Sequence, residues 1–590
     1  MRVKSWLIAS SAAAALALPA IAQQAAQPQP QPATPPANQY PGGGIGAQSP
    51  AAVQAAPSTG GGDESAVEVV SQTNLVPVQP APAIEYPGWA RRDPWTVGVL
   101  DPAREGLGSA PWGNANGAFL STLMRRMDTP LASRWAHIAL RDALLAKDHA
   151  PSGVNPVDWV AERAWLLLRM GEADAARMLV AGVDTDRFTP KMTQVAVQSA
   201  LVSADPPALC PIQDGIRKYD GRVRALVQAM CSSLAGEPES ASSQIDDARR
   251  FGRIGGIDLA LAQKVVGAGA DTGQAATIEW DPVDNLTSWR FGLATATGMV
   301  PPDRLMKAAS PQLRAFQARA PLLTAQQRLD SAFVALGLGV FSSQTMVDLY
   351  SSIYDSTDPG DLPSTDAWQL RQAFVAKDQD ARMDAIRKLL ATGKDGYRKE
   401  AARAAVARAA TLIEPNADLQ KDAPDLISAM LAAGYDRAAA RWERACARMD
   451  DEPADRCWAM LALATPGNVD VSAGRIQAFI RRDQSKDKMR SALLVAGLAG
   501  LGRISTDAAN SINRRYGLGL GRITSWTKMI DSAAGRGQAA TVLLLTGTGF
   551  QTATFDQLPS AHMYHAISGL KRTGQDFSAR MIAAEALSRT

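Results

Sequence analysis

The sequence predicts an all-α fold, an α-solenoid in which helical hairpins stack along a superhelix. After residue 113 almost every segment carries apolar residues at helical spacing, and no sustained alternation of apolar and polar residues marks a strand. In addition, glycines followed five residues later by alanine occupy apparent turns between helices. Such a glycine can end one helix, and the small alanine lets the next helix pack closely. The clear copies are Gly171 with Ala176, Gly236 with Ala241, Gly434 with Ala439 and Gly574 with Ala579, and a weaker one is Gly535 with Ala540.

Residues 1–22 have the features of a cleavable secretory signal peptide. Arg2 and Lys4 precede an apolar run that ends near Leu18, and small residues around Ala22 form a cleavage site. An uncleaved membrane anchor is the alternative, but it requires a longer apolar stretch. Nothing later in the chain is long and apolar enough to span a bilayer, so we expect an exported bacterial protein that is periplasmic or secreted.

Residues 23–83 are dominated by Gln, Pro, Ala and Gly. Such a segment cannot bury enough apolar surface to offset its ordering entropy, which predicts a disordered linker. Residues 84–112 are also rich in Pro and Gly, yet their tryptophans predict an ordered, irregular arm that packs as a cap on the first helices. In the alternative interpretation, aromatic and arginine side chains make the arm a partner-binding edge, formed by Trp89, Arg91, Arg92 and Trp95.

Residues 113–590 are predicted to form the helical repeat domain. Its first helix begins near Ala118, Pro130 marks the start of the second, and Asn155 with Pro156 opens the third. Loop-forming compositions that either divide the array into lobes or only separate repeats occur near residues 270, 358 and 467.

The glycine–alanine turns resemble the turn and second helix of tetratricopeptide repeats, a family of α-solenoids. The resemblance covers these four or five turns rather than the whole chain, and most large aromatics of that family's first helix are missing. The repeats are therefore divergent. The resemblance implies a binding scaffold whose concave surface holds a protein, peptide or envelope polymer.

The four cysteines form two pairs, each centred on a predicted turn. Cys210 and Cys231 lie on either side of a turn at 220–221, and Cys446 and Cys457 flank the connection MDDEPAD. In an antiparallel hairpin, residues equidistant from the turn lie side by side, so each pair can reach bonding geometry. In an exported protein this favours two structural disulfides, and buried free thiols are the alternative.

The composition gives no electrostatic sign of nucleic-acid binding, because the formal net charge is only +3. Arginine pairs such as Arg481–Arg482 are interpreted as solvated helix surface. His562 and His565 are three residues apart but lack a third ligand nearby, and the glycine-rich run at 517–521 lacks the strand and ending of a phosphate loop. We therefore predict no metal site, cofactor or catalytic residue.

One enzyme class has a similar plan: exported lytic transglycosylases combine a long α-superhelix with a lysozyme-like domain that cleaves peptidoglycan. Their site needs a glutamate whose carboxyl stays protonated in a partly apolar pocket. In the C-terminal third, Glu443, Glu452 and Glu585 lack the motifs of that family. We therefore predict a non-catalytic exported scaffold with a protein or peptide partner in the cell envelope. A peptidoglycan-associated enzyme or glycan-binding module is the alternative.

Overall fold

The computed structural model describes residues 87–219, 221–250, 255–269, 277–394 and 396–590. The predicted signal peptide, the linker and the first three residues of the arm lie outside these ranges, as does part of the predicted break near 270. The described residues contain 28 α-helices and no β-strand, which confirms the all-α prediction. None of these helices is long and apolar enough to cross a bilayer.

The chain divides into two compact units, and every α-helix of the described residues lies in the unit that contains Arg92–Thr590. In chain order these helices are α1 (Gly117–Arg126), α2 (Arg134–Leu145), α3 (Pro156–Met170), α4 (Ala173–Ala181), α5 (Pro190–Val202), α6 (Gln213–Tyr219), α7 (Gly221–Leu234), α8 (Pro238–Arg250), α9 (Gly256–Gly269), α10 (Ser288–Ala296), α11 (Asp303–Ala308), α12 (Pro311–Arg319), α13 (Ala325–Leu338), α14 (Ser343–Ser356), α15 (Asp366–Val375), α16 (Gln379–Thr392), α17 (Gly396–Ala410), α18 (Ala423–Ala432), α19 (Asp436–Ala440), α20 (Glu443–Cys446), α21 (Asp451–Ala464), α22 (Ala473–Arg482), α23 (Met489–Gly500), α24 (Thr506–Tyr516), α25 (Ser525–Gly535), α26 (Ala539–Gly549), α27 (Ser560–Arg572) and α28 (Asp576–Arg589).

Buried apolar side chains form two clusters in this unit. The smaller cluster is built by α5 to α10, and the larger one by α1 to α5, α10 and α12 to α28. Helices α5 and α10 contribute side chains to both, for example Val195 and Phe291 to the larger and Val197 and Trp289 to the smaller. These two helices therefore connect the smaller core to the rest of the unit.

The four clear glycine turns share one backbone geometry. Each glycine has a left-handed φ between +80° and +89°, and the N–H of the next residue donates to the carbonyl five residues earlier at 2.8–2.9 Å. The alanine that follows each glycine by five residues is fully buried. At the weaker copy, Gly535 is the last residue of α25, and Gly537 takes the left-handed conformation instead. The predicted helix–glycine–helix junctions are thus present between α3 and α4, α7 and α8, α18 and α19, and α27 and α28.

Replacing Gly434 by alanine is expected to lower the free energy of unfolding by about 2–3 kcal/mol. A left-handed φ costs a residue with a Cβ atom roughly 1–2 kcal/mol. The new Cβ would also lie 3.0 Å from Phe577 Cζ and 3.2 Å from Trp135 Cη2. At Gly236 the φ is +82°, but nothing lies within 4 Å of an added Cβ. Gly236→Ala therefore measures the backbone cost alone, and equal losses for both variants in urea denaturation would contradict the proposed aromatic contact.

Helices that are far apart in the sequence also contact one another. Helix α2 packs on α26 and α28 as well as on its neighbour α3. The N–H of Ala132 donates to the Phe550 carbonyl at 3.0 Å, and Arg589 Nη1 donates to the Ala132 carbonyl at 2.7 Å. In a solenoid each repeat contacts its sequence neighbours. The contacts of α2 are additional to those, and they join the first helices of Arg92–Thr590 to the last.

From Arg92 onward, the arm is anchored on the first helices. Val97 and Trp112 are buried, and the Trp112 ring meets Trp159 edge to face with ring centroids 5.1 Å apart. Arg163 of α3, which is 1% exposed, donates to the Val97 carbonyl at 2.5 Å and to carbonyls at the C-terminal end of α2 at 3.0 and 3.1 Å. Removing the arm would therefore expose the core of the adjoining helices.

The structure contains one of the two predicted disulfides. Cys210, in the 3-10 helix before α6, is bonded to Cys231 of α7. The second prediction is corrected, because Cys446 and Cys457 are both buried free thiols. They are nevertheless neighbours: a hydrogen bond with Cys446, together with burial, raises the pKa of the Cys457 thiol. Cysteines equidistant from a hairpin turn thus lie side by side in both pairs, but proximity alone does not decide whether they are oxidised.

Asp205, a buried carboxyl between α5 and α6, is expected to make stability depend on pH. Burial raises the pKa of Asp205 from 3.8 to about 7, although the Arg177 guanidinium, 3.4 Å away, opposes the shift. Between about pH 4 and 7 the folded state therefore keeps a proton that the unfolded chain releases, so the contribution of Asp205 to stability is greatest below pH 4 and is lost as the pH rises to 7.

We expect Asp205→Asn to raise the free energy of unfolding at pH 8 by about 2–4 kcal/mol and to flatten its decline between pH 4 and 7. Urea denaturation of both proteins at a series of pH values measures this. Parallel pH profiles for the two proteins would contradict the expectation.

Candidate binding recess

A recess of about 630 Å³ lies where α17, α18, α21, α22 and α28 meet, and we call it the arginine recess. Its size is in the range of small-ligand pockets, about 300–1,000 Å³. Seven cationic and four acidic side chains line it, and Glu400, Asp425 and Glu585 just outside the lining pair with Arg403, Arg456 and Arg589. The cations are Lys399, Arg403, Arg456, Arg481, Arg482, Arg490 and Arg589, and the acids are Asp451, Glu452, Asp455 and Asp483.

Two of these arginines bind the C-terminal end of α28. Arg403, which is 3% exposed, donates to the Ser588 carbonyl at 3.2 Å, and Arg490 donates to the main-chain oxygen of Thr590 at 2.5 Å. The last carbonyls of a helix lack intrahelical donors and form the negative end of the helix dipole, so nearby cations stabilise them. Glu400 balances the Arg403 charge at 3.1 Å. Both arginines therefore have a structural task within the recess.

The buried acids of the recess are held in their ionised form. Arg482 donates to both oxygens of Asp455 at 2.7 and 2.8 Å, and Arg475 donates at 2.6 Å. Burial raises the pKa of Asp455, but these hydrogen bonds outweigh it and hold the pKa below its ordinary value. Burial is likewise outweighed at Asp483, whose pKa is lowered chiefly by hydrogen bonds from Ser491. Neither carboxyl is therefore available as a proton donor near neutral pH.

Other cations in the recess are not neutralised in this way. The exposed side chains of Lys399 on α17 and Arg481 on α22 have no hydrogen-bond or ion-pair partner in the part of the chain that the structure describes. Arg456 has only long contacts, 3.7 Å to Glu452 and 3.9 Å to Asp425. These three side chains are accordingly the ones that can receive an anionic ligand.

Apolar side chains lie among these charges. Met460 and Phe479 are buried beneath the recess, and Leu587 near the end of α28 is half-buried. A ligand in this recess would therefore meet cationic groups and apolar carbon within one cavity. This combination suits a ligand that carries both an anionic group and an apolar side chain.

The residues predicted to form a partner-binding edge in the arm do not line the arginine recess. Trp95 is 43% exposed and stacks on His149, with ring centroids 5.3 Å apart. The Arg92 N–H donates to Asp184 at 3.2 Å, and its guanidinium lies 3.6 Å from that carboxylate. Trp89 is 88% exposed and, with Arg91, belongs to the other compact unit. The partner-binding edge in the arm stays a prediction.

The two C-terminal histidines contact different residues. His562 donates from Nδ1 to the Gly549 carbonyl at 3.2 Å, and its ring lies 4.4 Å from Trp526 between centroids. His565 Nδ1 lies 2.9 Å from the Asp531 carboxylate. Across the described ranges, no three His, Cys, Asp or Glu side chains are grouped as a metal site would need. Both histidines therefore have a packing explanation.

The three glutamates considered as glycosidase acids occupy unrelated positions. Glu585, 8% exposed, accepts hydrogen bonds from Ser133 Oγ at 2.5 Å and from the Arg134 N–H at 2.9 Å, and it thereby caps the N-terminus of α2. Glu452 lines the arginine recess with a largely exposed side chain, and Glu443 lies in the first turn of α20. An exposed carboxyl lacks the apolar surroundings that keep a catalytic glutamate protonated.

Sequence reasoning missed the arginine recess because its side chains come from helices that are distant in the chain. The pair Arg481–Arg482 is exposed, as the interpretation as solvated helix surface implies, but Arg482 also pairs with Asp455 and Arg481 lines the recess. One signal was available. The acids at the start of α21 and the arginines at the end of α22 flank a single connection, and an antiparallel pairing places such ends together.

Comparison with protein-family models, with curated proteins and with solved structures finds no match for this chain. The tetratricopeptide resemblance therefore remains a prediction from the glycine–alanine turns.

Proposed function

We propose that this protein is an exported, non-catalytic helical scaffold that binds a protein, peptide or polymer of the bacterial envelope. The observation that carries the proposal is the arginine recess, in which Lys399 and Arg481 are exposed and without partners among the described side chains. Its buried acids are held ionised, which suits binding rather than proton transfer. The predicted signal peptide supports export, and the bonded pair Cys210–Cys231 fits an oxidising compartment.

A first experiment tests export and binding together. We expect the chain isolated from a periplasmic or secreted fraction to begin after Ala22, and the immobilised mature protein to retain an envelope component that a denatured sample does not. Deleting residues 84–112 is unsuitable as a control, because Val97 and Trp112 are buried in the fold. A cytoplasmic protein with an intact N-terminus, or no retained component, would contradict the proposal.

A second experiment tests the alternative, a peptidoglycan-associated enzyme or glycan-binding module. The mature protein is incubated with purified peptidoglycan, and the soluble fraction is analysed for muropeptides. We expect no release, because Asp455 and Asp483, the buried acids of the recess, are held ionised. Released muropeptides would overturn the non-catalytic proposal, and sedimentation with peptidoglycan without cleavage would favour the glycan-binding module.

A further inference from the structure

The unpaired positive charge of the arginine recess is located at particular side chains. Arg403 is occupied by Glu400 and the Ser588 carbonyl, Arg490 by the main-chain oxygen of Thr590, Arg482 by Asp455 and Arg589 by Glu585. Lys399 and Arg481 remain exposed and without side-chain partners in the described ranges. An anionic ligand would therefore meet these two cations without breaking an existing ion pair.

The same recess already binds peptide main chain. Arg403 donates to the Ser588 carbonyl at 3.2 Å and Arg490 donates to the main-chain oxygen of Thr590 at 2.5 Å. Guanidinium groups present several N–H donors in a planar fork that suits carbonyl and carboxylate oxygens. Arginines of the recess thus already hold main-chain oxygens at the end of α28.

The apolar lining narrows the class of ligand. Phe479 and Leu587 lie in the same recess as the two unpaired cations. A phosphate-rich polymer offers charge but little apolar surface, whereas a peptide with alternating acidic and apolar side chains offers both. Burial of an apolar side chain would add roughly 25 cal/mol per Å² to the electrostatic attraction.

We propose that the arginine recess binds an acidic peptide segment, with its carboxylates on Lys399 and Arg481 and an apolar side chain against Phe479 and Leu587. This inference rests on the proposed function, because it names the chemistry of the envelope partner. The segment is short, since the recess measures about 630 Å³.

The test uses a short fluorescent peptide that alternates Glu and Leu and has an amidated C-terminus. We expect saturable binding that weakens when salt is raised, because exposed charges are screened beyond about 8 Å at physiological ionic strength. The doubly charge-reversed variant Lys399→Glu/Arg481→Glu is expected to bind about tenfold or more weakly. Replacing every Glu of the peptide by Gln should weaken binding to the wild-type protein to a similar degree.

A matched control separates this site from net charge. Lys377 and Lys528 are exposed, have no side-chain partner among the described residues and do not line the recess. The variant Lys377→Glu/Lys528→Glu changes the net charge by the same amount and should bind the peptide as the wild type does. Equal loss in both variants, or no loss in either, would overturn the inference. Binding of inorganic polyphosphate in place of the peptide would overturn it as well.

The failure of this inference is distinguishable from failure of the proposed function. If Lys399→Glu/Arg481→Glu still retains the envelope component but the Glu–Leu peptide does not bind the wild type, only the acidic-peptide inference fails. If the peptide binds and depends on both cations but no envelope component is retained, the proposed function fails while the recess chemistry stands. Near-ultraviolet circular dichroism of each variant confirms that it is folded.

Discussion

Arg134→Met is expected to lower the free energy of unfolding by about 3–5 kcal/mol, because the side chain holds three segments together. Arg134 is 6% exposed, and it donates to the carbonyls of Leu336 at 2.8 Å, Phe341 at 3.1 Å and Ala432 at 2.6 Å. Ala432 ends α18, where carbonyls lack intrahelical donors, whereas Leu336 near the end of α13 also accepts from the Gly339 N–H at 3.2 Å. Each lost hydrogen bond to a charged donor costs about 1.5–3 kcal/mol, partly recovered by relaxation.

Burial itself opposes the Arg134 charge. It lowers the pKa of Arg134 to about 10, although Glu585 acts in the opposite direction, so the guanidinium stays protonated at neutral pH. Replacing a buried charge by a hydrophobic residue is sometimes neutral when its whole ion pair is replaced. Here the partners are backbone carbonyls that cannot be removed with it, which is why we expect a loss.

The measurement for Arg134→Met is hydrogen–deuterium exchange of α13 and α18, combined with urea denaturation. Exchange is expected to accelerate in both helices, because each loses the donor at its end. Arg448→Met is a suitable control, since Arg448 is exposed and has no side-chain partner among the described residues. If both variants changed the exchange rates and the free energy of unfolding to a similar degree, the hydrogen bonds from Arg134 to the three carbonyls would not be what stabilises these helix ends.

The local features of this fold follow from residue type, which is why they are predictable. Gly171 ends α3 with a φ of +89°, a conformation that favours glycine, and the fully buried Ala176 allows the close packing that the pattern implies. The third helix begins after Asn155, as predicted, because its side chain accepts from the first-turn N–H groups. Capping and turn chemistry act over a few residues, so a sequence window contains the necessary information.

Helix boundaries that depend on residues far away in the sequence are harder to predict from the sequence. Pro130 suggested the start of the second helix, but α2 begins at Arg134, because Ser133 and the distant Glu585 satisfy its first N–H groups. The arginine recess is another example, since Lys399 and Arg481 share no sequence window. The acids and arginines that flank the connection between α21 and α22 are a local signal, but they do not indicate that Lys399 of α17 lies in the same recess.

Glu585→Ala is expected to lower the free energy of unfolding by about 3–4 kcal/mol, because the Glu585 carboxylate both caps the N-terminus of α2 and pairs with a cation. Its oxygens accept from Ser133 Oγ at 2.5 Å, from the Arg134 N–H at 2.9 Å and from Arg589 Nη1 at 2.8 Å. A negative charge at a helix N-terminus interacts favourably with the dipole. Removing one member of a buried charged pair commonly costs 3–5 kcal/mol, since the other charge remains buried.

Glu585→Gln provides the matched control for Glu585→Ala, because it keeps one acceptor oxygen and the side-chain shape but removes the charge. We expect Glu585→Gln to lower the free energy of unfolding by less than Glu585→Ala does. A loss as small as that of a substitution on the exposed surface would contradict the capping role.

Combining Glu585→Ala with Arg134→Met tests the coupling directly. Glu585 favours the charged form of Arg134, so removing the carboxylate first leaves a cation that is less well compensated. The loss for the double variant should therefore be smaller than the sum of the two single losses by about 1 kcal/mol or more. Additive losses would instead mean that the two side chains stabilise α2 independently, and that the first and last helices are not linked through this pair.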